Sequence, residues 1–246
     1  MSWLKIRNLK KKFYLEDMDV DALNGIDLEI EEGGFLVIVG RSGSGKTTLL
    51  RILAGLECET EGEILFKGRK CGPDSPLPVG MVFQEPRLMP WLSVENNILF
   101  PFLPGGISGE LPQKALDILK MLGLEGYENA MPHQLSGGMA QRVALGRALS
   151  CDPEIVLMDE PLGALDYFTR RALQRELVRI YLHGGKTFLM VTHDVGEALR
   201  MGTRVLVLKD GKIEASIPVP LEYPRDRHSE TFQSLLDEVL TALDDA

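Results

Sequence analysis

Cysteine is scarce in this chain: the three thiols, Cys58, Cys71 and Cys151, are scattered and form no C-x-x-C pair. That excludes a disulfide framework and a cysteine-built zinc module. The opening residues, Met1-Ser2-Trp3-Leu4-Lys5, carry no secretory pattern, so the expected compartment is the reducing cytosol. Histidine is equally sparse, and His133, His183, His193 and His228 have no metal-ligand spacing; no structural metal is expected. Long hydrophobic runs are missing too. Stretches such as 35–39 and 155–158 fall far short of the ~20 apolar residues that cross a bilayer. Any membrane role is therefore expected to be borrowed from another subunit. Nor is there a basic excess: the net charge of -9 argues against attraction to a nucleic-acid backbone or an anionic lipid surface.

What is present is the composition of a globular chain with a sizeable core, 44% hydrophobic and 26% charged over 246 residues. Short, nearly continuous apolar runs stand at 35–39, 80–83, 155–158, 187–191 and 205–208. Continuous hydrophobicity, unlike alternation, marks strands covered on both faces, as in a parallel sheet. Helical stretches lie between them, including Lys46 to Ala54 and Thr169 to Leu182. The fold class is thus α/β, with a mostly parallel core sheet. In the N-terminal third, alternation in Ile26-Asp27-Leu28-Glu29-Ile30 and Glu63-Ile64-Leu65-Phe66-Lys67 predicts a flanking antiparallel β layer. Strand signals fade between Gln84 and Asp152, where residues 113–122 have helical spacing, with Leu116, Leu119 and Leu122 on one side and Gly123 as a stop. The expected organisation is one domain over 1–246. Its core is 1–84 and 153–217, an inserted helical subdomain covers 85–152, and a short tail, 218–246, includes a terminal helix near Ser234 to Leu243.

Four of the apolar runs lead directly into polar or flexible residues: Gly40, Gln84, Asp159-Glu160 and Thr192-His193. In an open parallel sheet ligands bind outside the carboxyl ends of the strands, so these groups are expected to meet. The first of them opens Gly40-Arg41-Ser42-Gly43-Ser44-Gly45-Lys46-Thr47, followed by Thr48, which fits G-x-x-x-x-G-K-[ST] between a buried strand and a helix. Glycines let successive N–H groups face phosphates, and the helix start adds positive potential. Lys46 is expected to reach the β and γ phosphates and the Thr47 hydroxyl to bind Mg²⁺. Asp159, after four apolar residues, has the place of a magnesium-holding carboxylate, and Glu160 that of the group orienting the attacking water. Gln84 suits sensing of both Mg²⁺ and water, and His193 a hydrogen bond to the γ phosphate. A second loop, Leu135-Ser136-Gly137-Gly138-Met139-Ala140-Gln141-Arg142, also looks able to hold an anion at a helix start, with no local sign of whose.

Together these segments resemble one family. GRSGSGKT, Gln84, LSGGMAQR, IVLMDEP, GALD at 163–166 and VTHD at 191–194 stand in the order and approximate spacing of ATP-binding cassette (ABC) ATPases, over roughly residues 4–217. The resemblance implies two cassettes meeting head to tail, so that Ser136, Gly137 and Gly138, with Asp166 nearby, serve the nucleotide held by the partner. It implies ATP and Mg²⁺ as cofactors and an aromatic stacked on adenine. Phe13 fits that place, where many relatives have Tyr, with Tyr14 as a rival and ordinary packing as the alternative for Phe13. Gly33-Gly34 departs from the Gly-Glu common in relatives. The segment 84–97, with Trp91 either in the core or beside a groove, is expected to dock an integral membrane permease near Gln84–Ser93. The same segments, with LEYPRDRHS in the tail, look most like importer cassettes of the nitrate, sulfonate and taurine group, which work with an external solute-binding protein. The implied protein is a homodimeric ATP hydrolase, peripheral on the cytoplasmic side of the membrane, that drives uptake of a small anionic solute. The alternatives are an exporter or lipid-extracting cassette and a soluble, non-transport ABC ATPase.

Overall fold

A computed structural model describes residues 3–14, 18–105 and 111–244. Along the chain run β1 (Leu4–Tyr14), β2 (Asp19–Ile30), β3 (Phe35–Val39), α1 (Lys46–Leu53), β4 (Glu61–Phe66), β5 (Arg69–Lys70), β6 (Val79–Val82), α2 (Val94–Ile98) and α3 (Leu111–Met121). Then follow α4 (Gly137–Ser150), β7 (Ile155–Asp159), α5 (Tyr167–Gly184), β8 (Thr187–Thr192), α6 (Val195–Met201), β9 (Arg204–Lys209), β10 (Lys212–Pro218) and α7 (Glu230–Asp244). Contacts divide the chain into two units, one of 1–77 with 186–246 and one of 78–185.

In the first unit the antiparallel layer runs β2-β1-β4-β5, as the period-two patterns predict. Beside it stand four strands in the order β10-β9-β3-β8. β3 pairs in parallel with both β8 and β9. Every residue of β3 is buried, and the Phe35 and Phe188 rings lie 5.2 Å apart in this core. β9 turns back into β10 through Asp210 and Gly211, both at positive φ, the conformation a two-residue hairpin needs. α7 starts four residues earlier than the predicted Ser234 and anchors itself with Phe232 and Val239.

In the second unit β6 and β7 pair in parallel. Gly80 lets α4 approach closely, because a Cβ there would lie 2.3 Å from the Ala148 carbonyl oxygen. The helical part, within 85–152, centres on α4, whose Gly146 leaves room for Leu122, Ile118 and Ile98. One expected face is corrected here: Leu116 is exposed, and α3 buries Ala115, Ile118 and Leu119, followed by Leu122. These sit at i, i+3, i+4 and i+7, whereas Leu116 is turned about 100° from the first of them. Among the described residues no helix is long and apolar enough to cross a membrane.

Candidate functional site

The phosphate loop lies wholly in the first unit, between the end of β3 and the start of α1. Gly45 caps α1 at φ 99° and supplies no capping side chain, so the loop delivers the start of that helix with its positive end toward the loop. The path is too tight for side chains. A Cβ on Gly40 would sit 2.3 Å from the Leu208 carbonyl oxygen and 2.6 Å from Ser44 Oγ, and one on Gly45 would sit 2.3 Å from the Ala22 carbonyl oxygen. A third constraint comes from the β9–β10 turn, where Gly211 N donates to the Ser44 carbonyl at 3.2 Å.

Two buried polar groups point to what this loop holds. Lys46 is 6% exposed, and its Nζ donates to the carbonyls of Gly40 at 2.9 Å and Arg41 at 2.8 Å. Ser44, also 6% exposed, has a buried Oγ with no hydrogen-bond partner among the described residues. A buried hydroxyl left unmatched costs about 1–3 kcal/mol. A phosphate oxygen in the loop would accept from it. The hydroxyl and the ammonium, at a helix start, therefore fit a polyphosphate chain. Thr47, Arg41, Ser42 and Gly43 are exposed and Thr48 is half-buried.

At the same end of the sheet, β3 and β8 finish in register, Val39 opposite Thr192, so Gly40 and His193 leave side by side. His193 is exposed. On β1, Phe13 alternates with Lys11 on one face and Tyr14 with Lys12 on the other. Lys11 pairs with Leu23 across the strands, and Leu23 Cδ2 lies 2.9 Å from where a Cβ on Gly45 would stand. Phe13 is thus on the face that adjoins the phosphate loop. It is half-buried beneath Lys11 Nζ, 4.8 Å from its ring centre, whereas Tyr14 is 72% exposed.

The second unit holds the other predicted residues. β6 and β7 are in register with Val82 opposite Met158, which carries Gln84 and Glu160 out at one end. Asp159 is the last residue of β7. Glu160 takes φ 44°, an uncommon conformation for a side chain of this size and one that concentrates at working sites. Gln84 Nε2 and Glu160 Oε2 lie 3.4 and 3.6 Å from one point beside Gly163, so amide and carboxylate do converge. Ser136 caps α4, its Oγ accepting from Met139 N at 3.3 Å, and Ser136 and Gly137 are exposed. Gly138 is buried against Thr169, whose Cγ2 would be 2.3 Å from a Cβ at this position. Asp166 caps α5, accepting from Phe168 N at 3.0 Å and Thr169 N at 3.1 Å. The Thr169 hydroxyl, with those N–H groups, holds its carboxyl below the usual carboxylate range.

Trp91 is 70% exposed, which settles its place in favour of a surface. Its loop is rigidly held. Asn97, fully buried, accepts from Met89 N at 2.8 Å and donates to the carbonyls of Met89, Leu92 and Ser93 at 3.1, 2.9 and 3.0 Å. Arg147, whose pKa burial lowers, donates to the carbonyls of Arg87 and Pro86 at 2.8 Å each. Sequence reasoning missed Asn97, Arg147, Thr169 and Glu197. Only Glu197 left a signal, the D-x-x-E spacing of a helix start.

Comparison with known proteins agrees with this geometry. A family model described as "ABC transporter" matches residues 23–163. An uncharacterised ABC transporter ATP-binding protein of Methanocaldococcus jannaschii is 48% identical over 98% of this chain and 91% of its own length. The aliphatic sulfonates import ATP-binding protein of Bacillus subtilis is 42% identical over 94% of this chain and 91% of its own. That of Rhodopseudomonas palustris is 45% identical over 98% and 83%. Among solved structures, a dimeric ATP-binding cassette in a post-hydrolysis state with ADP and Pi superposes with a TM-score of 0.78 at 38% identity, covering 89% of this chain and all of that one. With more than half of the chain matched by the family model and relatives of this identity aligned along nearly all of it, the chain belongs to the ABC transporter family and has its ATPase fold.

Proposed function

We propose that this chain is the ATP-hydrolysing subunit of an ABC importer and powers uptake of a small anionic, sulfonate-like solute through an integral membrane permease. The observation that carries the nucleotide role is the phosphate loop, with buried Lys46 and an unmatched Ser44 hydroxyl facing into it. The import role is supported by the sulfonate import relatives, aligned over nearly the whole chain. The export, lipid-extraction and non-transport readings have no comparable support.

In this reading Gly40 to Thr48 hold the phosphates of ATP, and Phe13 stacks on adenine in preference to Tyr14, since it shares the face that adjoins the loop. Thr47, Asp159 and Gln84 have the hydroxyl and carbonyl-type oxygens that suit Mg²⁺. That ion, when bound, neutralises phosphate charge. Glu160 orients and polarises the attacking water, Gln84 monitors its site, and His193 hydrogen-bonds the γ phosphate. Ser136, Gly137 and Gly138, with Asp166, serve the nucleotide of a second, identical chain. Dimeric cassettes among the solved relatives support that arrangement. The loop Gln84–Ser93, held by Asn97 and Arg147 with Trp91 outward, is the docking place for the permease. An external solute-binding protein contributes indirectly, and the cassette sits peripherally on the cytoplasmic face of the membrane. The division into a core of 1–84 and 153–217, a helical subdomain 85–152 and a tail 218–246 belongs to the same reading.

The test is Glu160→Gln. It should keep ATP binding, lower hydrolysis by about 100-fold or more, and accumulate an ATP-dependent dimer measurable by light scattering. A variant that hydrolyses normally defeats the role given to Glu160, and one that binds ATP and stays monomeric defeats the two-cassette mechanism.

A further inference from the structure

His193 is one residue beyond the end of β8 and exposed, and the direction in which its Cα–Cβ bond leaves the chain follows from how the backbone is held on either side. Both neighbours belong to a small buried network. The Asp194 N–H donates to Thr192 Oγ1 at 3.1 Å. The Thr192 hydroxyl in turn donates to Glu197 Oε2 at 2.9 Å. Asp194 Oδ1 closes the ring by accepting from Glu197 N at 2.9 Å. Thr192 and Glu197 are 3% and 4% exposed, in surroundings that include fully buried Val191, Ala198 and Leu199.

A carboxylate at this depth carries a large desolvation cost unless it is well bonded. Capping alone does not explain it, because Asp194 already caps α6. In an ordinary capping box the acid at the third helical position accepts the N–H of the cap residue. Here the Thr192 hydroxyl accepts that N–H and donates to the acid. Glu197 is thereby tied to the strand end as well as to its own helix, and residue 193 is enclosed between two fixed points.

We propose that Glu197 is a positioning residue for ATP hydrolysis: through Thr192 its buried carboxylate sets the direction in which His193 leaves the sheet. This rests on the reading of His193 as the residue that meets the γ phosphate. Glu197 touches neither nucleotide nor water in this scheme. Misplacing a reacting group by about 1 Å can cost up to ~100-fold in rate, so the clamp acts on turnover while ATP affinity depends on the phosphate loop.

The experiment is steady-state ATP hydrolysis by the full chain carrying Glu197→Ala, Glu197→Gln, Thr192→Val or Thr192→Ser, together with NMR of histidine ring protons. The four histidines give an internal control, and the His193 signal is assigned with His193→Gln. Glu197→Ala and Thr192→Val should lower kcat by about 10- to 100-fold with KM for ATP changed less than about twofold. Glu197→Gln and Thr192→Ser, which keep an acceptor and a hydroxyl, should retain most of it. The His193 resonance should move while those of His133, His183 and His228 stay in place. An unchanged kcat in Glu197→Ala, equal damage from Glu197→Gln and Glu197→Ala, or movement of all four signals overturns the proposal. If Glu197→Ala fails to fold, the Thr192→Val and Thr192→Ser pair decides it alone. Should His193→Gln itself hydrolyse ATP normally, the catalytic reading of His193 fails. The ring signals then still report whether the clamp exists.

Discussion

A single methyl group probes the LSGG turn at the scale of one residue. Alanine at position 138 would place its Cβ 2.3 Å from Thr169 Cγ2. Thr169 cannot simply rotate away, because its hydroxyl is bonded to Asp166. Gly138→Ala should therefore lower stability by about 1–3 kcal/mol, less the fraction of a kcal/mol that alanine returns in a helix. Adding Thr169→Ser removes the clashing methyl and keeps the hydroxyl, so the double variant should recover the melting temperature; a double variant as unstable as Gly138→Ala would refute this account. Asp166 supplies a pH test at the same place. Its carboxyl is held below the usual range by Thr169 and neighbouring N–H groups, so its contribution is complete above the unfolded carboxylate pKa and is lost as pH falls through the lower, folded value. In acid titrations of stability, wild type should lose more than Asp166→Asn over that window; parallel curves would contradict it. The residues legible in the sequence are those with chemistry written into adjacent positions, such as Lys46 in its glycine loop. Thr169 was not legible, since it matters through a contact with Gly138 on another helix, and Glu197 was legible only as part of a helix start, not in its tie to the end of β8.

At the scale of elements, the loop 84–93 is held by side chains from two helices, Asn97 of α2 and Arg147 of α4. Asn97 of α2 makes four hydrogen bonds to it from a fully buried position. Asn97→Ala takes the partner from Met89 N and from the Leu92 carbonyl, while the Met89 and Ser93 carbonyls keep the backbone N–H groups of Leu92 and of residue 97; each buried group left unmatched costs about 1–3 kcal/mol. The expected result is a destabilisation of about 2–4 kcal/mol, read by chemical denaturation, since two polar groups of the loop lose their partner. Basal ATP affinity should change little, because the phosphate loop lies in the other unit. A loss smaller than about 1 kcal/mol would show that the loop keeps its shape without Asn97. Why α3 was legible as a helix but not in its facing also belongs to this scale. Periodicity of leucines located it, yet Leu116 is exposed while Ala115 and Ile118 are buried. Facing follows the angle around the helix, and it is Ile118 and Leu122 that meet Gly146 of α4. The parallel strands were legible because burial on both faces leaves nearly unbroken apolar runs. The ends of α5 and α7 were less so, since their first turns are set by caps and packing.

For the whole molecule, the proposed composite site makes a prediction that no single chain can satisfy. Lys46→Ala disables a phosphate loop while leaving its Ser136 turn intact; Ser136→Arg does the reverse. Each variant alone should be inactive, since every site in either homodimer pairs one good half with one bad. In a mixed dimer the defects fall together in one site, and the other site has an intact Lys46 and an intact Ser136. Mixing equal amounts makes half of the dimers mixed, each with one working site of two, so hydrolysis should return to at most roughly a quarter of the wild-type rate. Wild-type sites acting as an obligate pair would lower that figure, while any measurable return requires that the two halves come from different chains. If each chain instead used its own Ser136, every chain in the mixture would still carry a defect and no activity would appear. The exposed setting of Ser136 and Gly137, with the side-chain cap leaving the rest of the α4 start open, is the local structure such an exchange needs. Single-chain ATP binding should separate the two parents before mixing: lost in Lys46→Ala and retained in Ser136→Arg, where its loss would place Ser136 in the wrong nucleotide site.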